Sequence, residues 1–527
     1  MINSVLRFWH TVRWLKPVQV YGRLWFRFYR PRPDLRPAPV MREHFGVWVL
    51  CARAASMTGP RGFRLLGVER TLFEADDWNR ADWSKLWLYN AHYFDDLAAT
   101  DAHARLAWHA DLMERWILEN PPAQGNGWEP YPTSLRMVNW VKWALTGNNL
   151  SGVAQQSLAV QVRYLLDRLE VHLLGNHLWA NAKALVFAGL FFDGVEAAGW
   201  RDKGLALLQR ELEEQVLPDG GHFERSPMYH SIILEDLLDL VQLASRHPGV
   251  IGEVQVSQWR ETSARMLRWL RVMSHPDGGI AFFNDAALGV APDIAALARY
   301  AVALGLETMQ SPLAEIEALP ESGYVRMQCG PSVLIADVAE IGPDYLPGHA
   351  HADSLSFELS LHGQRVLVNG GTSTYDAGQA RTNERGTTMH NTVQVDGLDS
   401  SETWGSFRVA RRARPLGVRW GSDGDNLWLE AGHDGYLRLP GRVIHRRRWL
   451  LKSDCLQVTD GLEGIFGTAV ARFRFAPGQT VQWLTSGQDR QAVIPSNWHP
   501  CFGKTEACEL LEIAFTGTTL KTEFNWS

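Results

Sequence analysis

Two histidines and an aspartate fall at every second position in GHAHADSLSFEL, residues 348–359: His349, His351 and Asp353. Leu355, Phe357, Leu359 and Leu361 continue the same parity. Side chains alternate across a strand, so this spacing predicts one shared face, polar where the strand begins and apolar where it enters a core. Partly buried imidazoles need partners, either a metal ion or a hydrogen-bond network. His390, in TTMHNTVQVDG, precedes a second predicted strand, and Asn369, in VLVNGGT, ends the strand after the histidines. His351, Asn369 and His390 could converge on one zinc ion, although an amide is a poorer zinc ligand than a carboxylate. Asp353 is placed to orient one of the imidazoles.

Other reactive residue types sit in helix-start patterns. LLGNHLWANAK places Gly175 and Asn176 at a helix start, with Asn176 suited to the N-cap and His177 in the first turn. In DGGHFERSPMYH, Ser226 followed by Pro227 is an N-cap and first-turn pair, which puts Tyr229 in the first turn. There the positive end of the helix dipole favours a phenolate, and a phenol of pKa about 10 needs such help to act as a base. WEPYPTSLRMVNW offers Tyr131 and Arg136, an aromatic ring and a cation that suit an acidic sugar, and Glu224 joins them as a substrate-binding candidate. Glu129, Glu224 and Asp285 are the carboxylates from which a glycoside hydrolase would need a pair across the scissile bond. Each feature also has an architectural reading, as a cap, an interface tyrosine or a satisfied core histidine.

These residues need a frame. From about residue 80 to 305, apolar residues recur at helical spacing, as in HARLAWHADLMERWILEN, NHLWANAKALVFAGLFFDG and YHSIILEDLLDLVQLASRH. Short connections with Gly, Pro, Asn or Asp make a bundle, a solenoid or a closed toroid, and periodicity does not choose among them. The character changes near residues 310–322, in QSPLAEIEALPESG. Short alternating segments follow, among them SVLIADVA, LSFELSL and VARFRFA, as in an antiparallel β-sandwich. The expected divisions are an N-terminal segment and linker over 1–45, a helical domain over 46–310 and a sandwich over 320–527, with a cleft between the last two.

Composition sets the outer bounds. The 527-residue chain is 46% hydrophobic and 21% charged, as a globular protein is, and its net charge of −6 argues against nucleic acid as a partner. Its 23 tryptophans fit large aromatic cores, or clefts that stack sugars. Five cysteines without a CxxC give neither a disulfide scaffold nor a zinc ribbon. The opening MINSVLRFWHTVRWLKPVQVYGRLWFRFYRPRP mixes arginine with aromatic residues and lacks the apolar run and cleavage site of a secretory signal. It suits a helix docked on the protein's own body, or one lying on an anionic membrane. A cytoplasmic or membrane-peripheral location is therefore expected ahead of a periplasmic one. Pro31, Pro33, Pro37 and Pro39 mark a linker.

Taken together, YPTSLRMVNW, NHLWANAKALVFAG, DGGHFERSPMYH, GHAHADSLSFEL and HNTVQVDG resemble the heparinase II/III family of polysaccharide lyases, in matching order from about residue 80 to 480. The resemblance implies an incomplete (α/α) toroid followed by an antiparallel β-sandwich, with an acidic polysaccharide or oligosaccharide between them. It implies β-elimination beside a uronate: the carboxylate is neutralised, a base takes the C5 proton and an acid protonates the leaving O4. By resemblance, Asn176 with His177 neutralises the carboxylate, and Tyr229 is base, acid or both. His349 is then the second proton-transfer residue, and His351, position 369 and His390 hold a structural zinc. Position 369 is Asn where Asp is expected. A role in bacterial surface-polysaccharide metabolism is a further implication. The rival readings are a glycoside hydrolase on the same scaffold and a non-catalytic polysaccharide-binding or assembly protein.

Overall fold

The computed structural model describes residues 2–44, 46–306 and 312–526. Two helices, α1 (Ile2–Val12) and α2 (Pro17–Phe28), open the chain. The proline-marked stretch behind them is pinned rather than loose: the Arg163 guanidinium donates to the carbonyls of Arg36 (2.6 Å) and Pro37 (3.0 Å). A short hairpin, β1 (Gly62–Leu65) with β2 (Val68–Thr71), precedes the helical body.

That body runs through α3 (Lys85–Tyr93), α4 (Leu106–Glu119), α5 (Pro130–Leu145), α6 (Gly152–Asp167), α7 (Gly175–Phe191), α8 (Val195–Gln215), α9 (Pro227–Arg246), α10 (Glu253–Val272) and α11 (Ile294–Ala303). Helix α7 is apolar nearly all round, which suits a central position, and it packs on α5, α6, α8 and α9. Its contact with α8 is close because Gly204 lacks a Cβ, which would lie 2.7 Å from the Ala182 carbonyl. Trp78, Trp116, Trp140, Trp179, Trp259 and Trp269 are fully buried in this body. The tryptophan content therefore goes chiefly to aromatic cores.

The second domain begins with β3 (Ile316–Leu319), β4 (Tyr324–Cys329), β5 (Ser332–Asp337), β6 (Phe357–Leu361) and β7 (Gln364–Leu367), paired antiparallel in that order. A six-stranded and a four-stranded antiparallel sheet complete the sandwich. Their inner faces share a core with Phe357, Leu359, Trp449, Phe473 and Phe524. Of the predicted boundary, Gln310 and Ser311 lie outside the described residues, and the remainder leads into β3.

The domains are not merely tethered. Tyr324, Val333, Ile335 and Phe502 of the sandwich belong to the helical core. Trp269 Nε1 donates to Ser322 Oγ at 2.8 Å, and His275 lies between Ser360 (2.7 Å) and Glu358 (2.9 Å). This joint fixes one wall of the cleft against the other.

One local expectation fails here. The strand carrying the histidines starts only at Phe357, so His349, His351 and Asp353 stand on the irregular segment before it. Leu355 has a φ of 61°, a left-handed turn that ends the two-residue alternation. The parity of the sequence does not decide where these side chains point.

Candidate active site

The interdomain cleft encloses about 1580 Å³. Tyr131, Asn176, His177, Glu224 and Tyr229 line it from the helical side, and His349 and Tyr375 from the sandwich side.

The helical wall starts at α7. Leu174 and Gly175 have φ of 64° and 55° and turn the chain sharply into the helix. A Cβ at residue 175 would lie 2.5 Å from Leu346 Cδ2 and 3.2 Å from Glu224 Oε1, and the positive φ adds strain for any other residue, so glycine suits this helix start. Leu174 takes the N-cap, and Asn176, expected there, lies within the first turn. His177 packs on the Tyr131 ring (centroids 4.5 Å apart), and its Nδ1 is 3.1 Å from Glu170 Oε1. Burial opposes the charged ring, but the Glu170 carboxylate more than compensates and raises its pKa. Asn181 holds Glu170 in turn, with Nδ2 3.1 Å from Oε2. A helix N-terminus, an amide and an imidazole whose charged form Glu170 favours thus face the cleft together, a combination that suits an anion.

Glu224 stands beside them. Its Oε1 is buried with no hydrogen-bond partner among the described residues. Burial raises its pKa, so the acid form is favoured and can donate a hydrogen bond. Its Oε2 is 3.8 Å from His349 Nε2.

Ser226 caps α9 as the sequence predicts: the Tyr229 backbone N–H donates to Ser226 Oγ at 3.2 Å. The Ser226 hydroxyl donates to the carbonyl of Asp285 at 2.5 Å, which joins the helix start to the loop under His349. Tyr229 lies in the first turn, its ring 4.0 Å from that of His349. Its phenol is pushed well above the ordinary tyrosine value, by burial first and then by Tyr375. This reverses the expectation of a dipole-stabilised phenolate, because loss of solvent outweighs a partial helix charge. The Tyr229 and Tyr375 hydroxyls are 3.2 Å apart and share a hydrogen bond that either can donate.

The two histidines converge on one carboxylate. Asp285 Oδ2 is 2.8 Å from His349 Nδ1, and Oδ1 is 2.8 Å from His351 Nε2. The Arg381 guanidinium, on α12 (Gln379–Glu384), clamps both oxygens. Burial alone would raise the Asp285 pKa, but Arg381 and then the histidines hold it well below the carboxylate range. An ionised carboxylate only accepts, so His349 Nδ1 carries a proton toward Asp285, and Nε2 is left facing the cleft. Asp285, not Asp353, is the orienting residue. Asp353 instead accepts the Asn284 backbone N–H at 2.9 Å.

The proposed zinc ligands do not make a metal site. His351 Nδ1 is 3.2 Å from His390 Nε2, but His351 Nε2 is taken by Asp285. Asn369 Oδ1 accepts the Asn391 backbone N–H at 3.1 Å, and its Nδ2 faces Ser356 Oγ at 3.4 Å. Among the described residues no group of three His, Cys, Asp or Glu side chains could hold a metal ion. Two imidazoles and a committed amide do not fit zinc.

Two family models together match most of the chain. Residues 93–302 match the Heparinase II/III N-terminus, and residues 311–527 match Heparinase II/III-like, C-terminal. The chain belongs to the heparinase II/III family. A heparin-sulfate lyase of Bacteroides stercoris is 26% identical over 248 residues, covering 44% of this chain and 37% of that protein. FtsZ-localized protein C of Caulobacter vibrioides is 29% identical over 446 residues, covering 81% of this chain and 71% of that protein. The match to the heparin-sulfate lyase thus spans little more than a third of its length. A heparinase III crystal structure superposes with a TM-score of 0.70 at 16% identity, over 96% of this chain and 89% of that one. The toroid-and-sandwich fold is therefore shared.

In this heparinase II/III chain not every expected contact residue reaches the cleft. Arg136 is fully buried: it donates to Gln161 Oε1 (3.0 Å) and to the Gly127 carbonyl (2.8 Å), and lies 3.7 Å over the Trp116 ring. It is a core residue and not a ligand for an acidic sugar. Glu129 is held by Lys85 and Tyr89 outside the cleft lining. With Asp285 clamped by Arg381, only Glu224 of the three hydrolase candidates faces the cleft, and no hydrolytic pair forms from them. Sequence reading missed Tyr375 and Arg381, and missed Asp285 as an orienting group. Their only signal is an ordinary polar residue in a loop or, for Arg381, in a six-residue helix, and spatial neighbours supply the meaning.

Proposed function

We propose that this protein is a polysaccharide lyase that cleaves an acidic, uronate-containing polymer by β-elimination. The observation that carries the reading is the facing of His349 and Tyr229 across one cleft, with Asp285 behind the imidazole.

The substrate carboxylate docks at the start of α7. Asn176 and the acid form of Glu224 donate hydrogen bonds to it, and the His177 cation balances its charge. Neutralised in this way, the carboxylate accepts the electron pair that C5 gains on losing its proton. His349 Nε2 takes that proton, while Asp285 stabilises the imidazolium through Nδ1–H. As the C5 pair forms the double bond, the bond from C4 to O4 breaks. Tyr229 O–H protonates the departing oxygen, and the raised phenol value makes the resulting phenolate a strong base that is quickly reprotonated. The proton then passes from His349 to Tyr229, whose rings are 4.0 Å apart, and the site is reset. Each proton transfer is worth roughly 10²–10⁴-fold in rate.

Ultraviolet absorbance tests the reading. A panel of uronate polysaccharides incubated with the protein is expected to yield rising absorbance from the conjugated unsaturated uronate. New reducing ends without that absorbance would replace the lyase reading with hydrolysis. Binding without cleavage across the panel would favour a non-catalytic polysaccharide-binding protein.

A further inference from the structure

The outer face of α2 is apolar. Gln19 and Gly22 are buried beneath it, the Gln19 side chain donating to the Tyr345 carbonyl at 3.1 Å and the Gly22 backbone lying against His172. Val20, Tyr21, Leu24, Trp25 and Phe28 recur at helical spacing on the opposite side and point away from the protein, Trp25 being 61% and Phe28 76% exposed. A soluble surface helix has the reverse arrangement. Helix α1 adds Val5, Leu6 and Trp9, the last 58% exposed.

The charge of this segment differs from that of the rest. Residues 1–33 contain seven Lys and Arg and no Asp or Glu, in a chain of net charge −6. Arg23 and Arg27 are exposed on α2, alongside the apolar stripe. The pair is also firmly seated: Arg168 donates to the carbonyls of Phe26 (2.7 Å) and Tyr29 (2.5 Å), Lys16 pairs with Glu214, and Trp404 Nε1 donates to Thr11 Oγ1 at 3.0 Å. The exposed stripe is thus a fixed surface and not a fraying end.

We propose that α1 and α2 form a docking face for an anionic lipid bilayer. Trp9, Leu24, Trp25 and Phe28 enter the headgroup–acyl boundary, and the flanking arginines meet acidic headgroups. Val12 of α1, Gln19 of α2 and Leu15 between them line the interdomain cleft, so docking brings the cleft wall to the lipid surface. This binding does not depend on the lyase reading.

The test is co-sedimentation of the full chain with vesicles. Wild type is expected to bind phosphatidylglycerol-containing vesicles, to lose binding as salt is raised, and to bind pure phosphatidylcholine at least about tenfold less. The triple variant Leu24→Ser, Trp25→Ser, Phe28→Ser is expected to lose binding to the anionic vesicles while its melting temperature and any glycan cleavage stay unchanged. Arg23→Glu with Arg27→Glu should lose it too. Brominated lipids should quench tryptophan emission of the wild type and not of a Trp9→Phe, Trp25→Phe variant. No sedimentation of the wild type would overturn the proposal, as would full binding by the triple variant. A wild-type oligomer in light scattering that the triple variant breaks into monomers would also overturn it, placing a second copy on the face.

Discussion

Asp285 holds His349 by a 2.8 Å hydrogen bond from Nδ1 to Oδ2, and the same carboxylate carries the Arg381 guanidinium behind it. The loop of the helical domain thus orients a side chain of the sandwich. The imidazole cannot turn away from Tyr229 without breaking a buried, charge-assisted contact.

Asp285→Asn should therefore act twice. It leaves Arg381 buried without its carboxylate, at a cost of about 3–5 kcal/mol in stability. It also removes the acceptor that fixes the His349 tautomer, lowering kcat by roughly 10²–10⁴-fold. His351→Gln disturbs the same carboxylate without touching the cleft and should keep the larger share of activity. Thermal melting and steady-state kinetics of the two variants separate the effects.

The pH dependence of binding should follow Glu224 and His177. The pKa of Glu224 is raised by burial, so its acid form predominates below that pKa and is lost as pH rises through it. KM for a uronate substrate should rise over that range, and Glu224→Gln should flatten this limb. The same sign governs stability: the contribution is fully present below the unfolded carboxyl value and lost as pH rises through the folded one. Glu224→Gln should therefore melt higher than wild type at neutral pH. The pKa of His177 is raised against its burial by Glu170, so Glu170→Gln should move the remaining limb to lower pH.

Arg136→Ala should damage the fold and not the affinity. It opens a cavity beside Trp116 and strips the donors from Gln161 and the Gly127 carbonyl. The cost is about 3–5 kcal/mol by analogy with other large buried truncations. KM of the protein that remains folded should be unchanged, whereas a substrate-binding arginine would show a KM defect at near-normal stability.

Dialysis against a strong chelator should leave melting temperature and cleavage unchanged, since Asn369 is committed to Asn391 and Ser356. Stoichiometric zinc in elemental analysis of the purified protein, lost together with stability, would overturn this.

Much of the site was legible because it rests on local rules. Ser226 and Pro227 fix where α9 begins, and that alone puts Tyr229 in the first turn. The division into helices and then strands follows from periodicities of 3.6 and 2. The segment before β6 was misread because one left-handed residue, Leu355, breaks an alternation that the residue types continue. Arg136 was misread because a cation in an aromatic motif looks the same whether the ring is a wall of a cleft or the floor of a core. The Tyr229 phenol follows neither its position nor its type, since burial by Tyr375 and His349 arises from the other domain.

The central claim is elimination driven by His349 and Tyr229, and the mass of the cleavage product tests it most directly. The account predicts a new non-reducing end lighter by one water than a hydrolytic product, formed by wild type. Its rate of formation should fall by about 10²–10⁴-fold in both Tyr229→Phe and His349→Gln, with the fold intact. A product carrying the full mass of hydrolysis would contradict the account, and so would unchanged elimination in either variant.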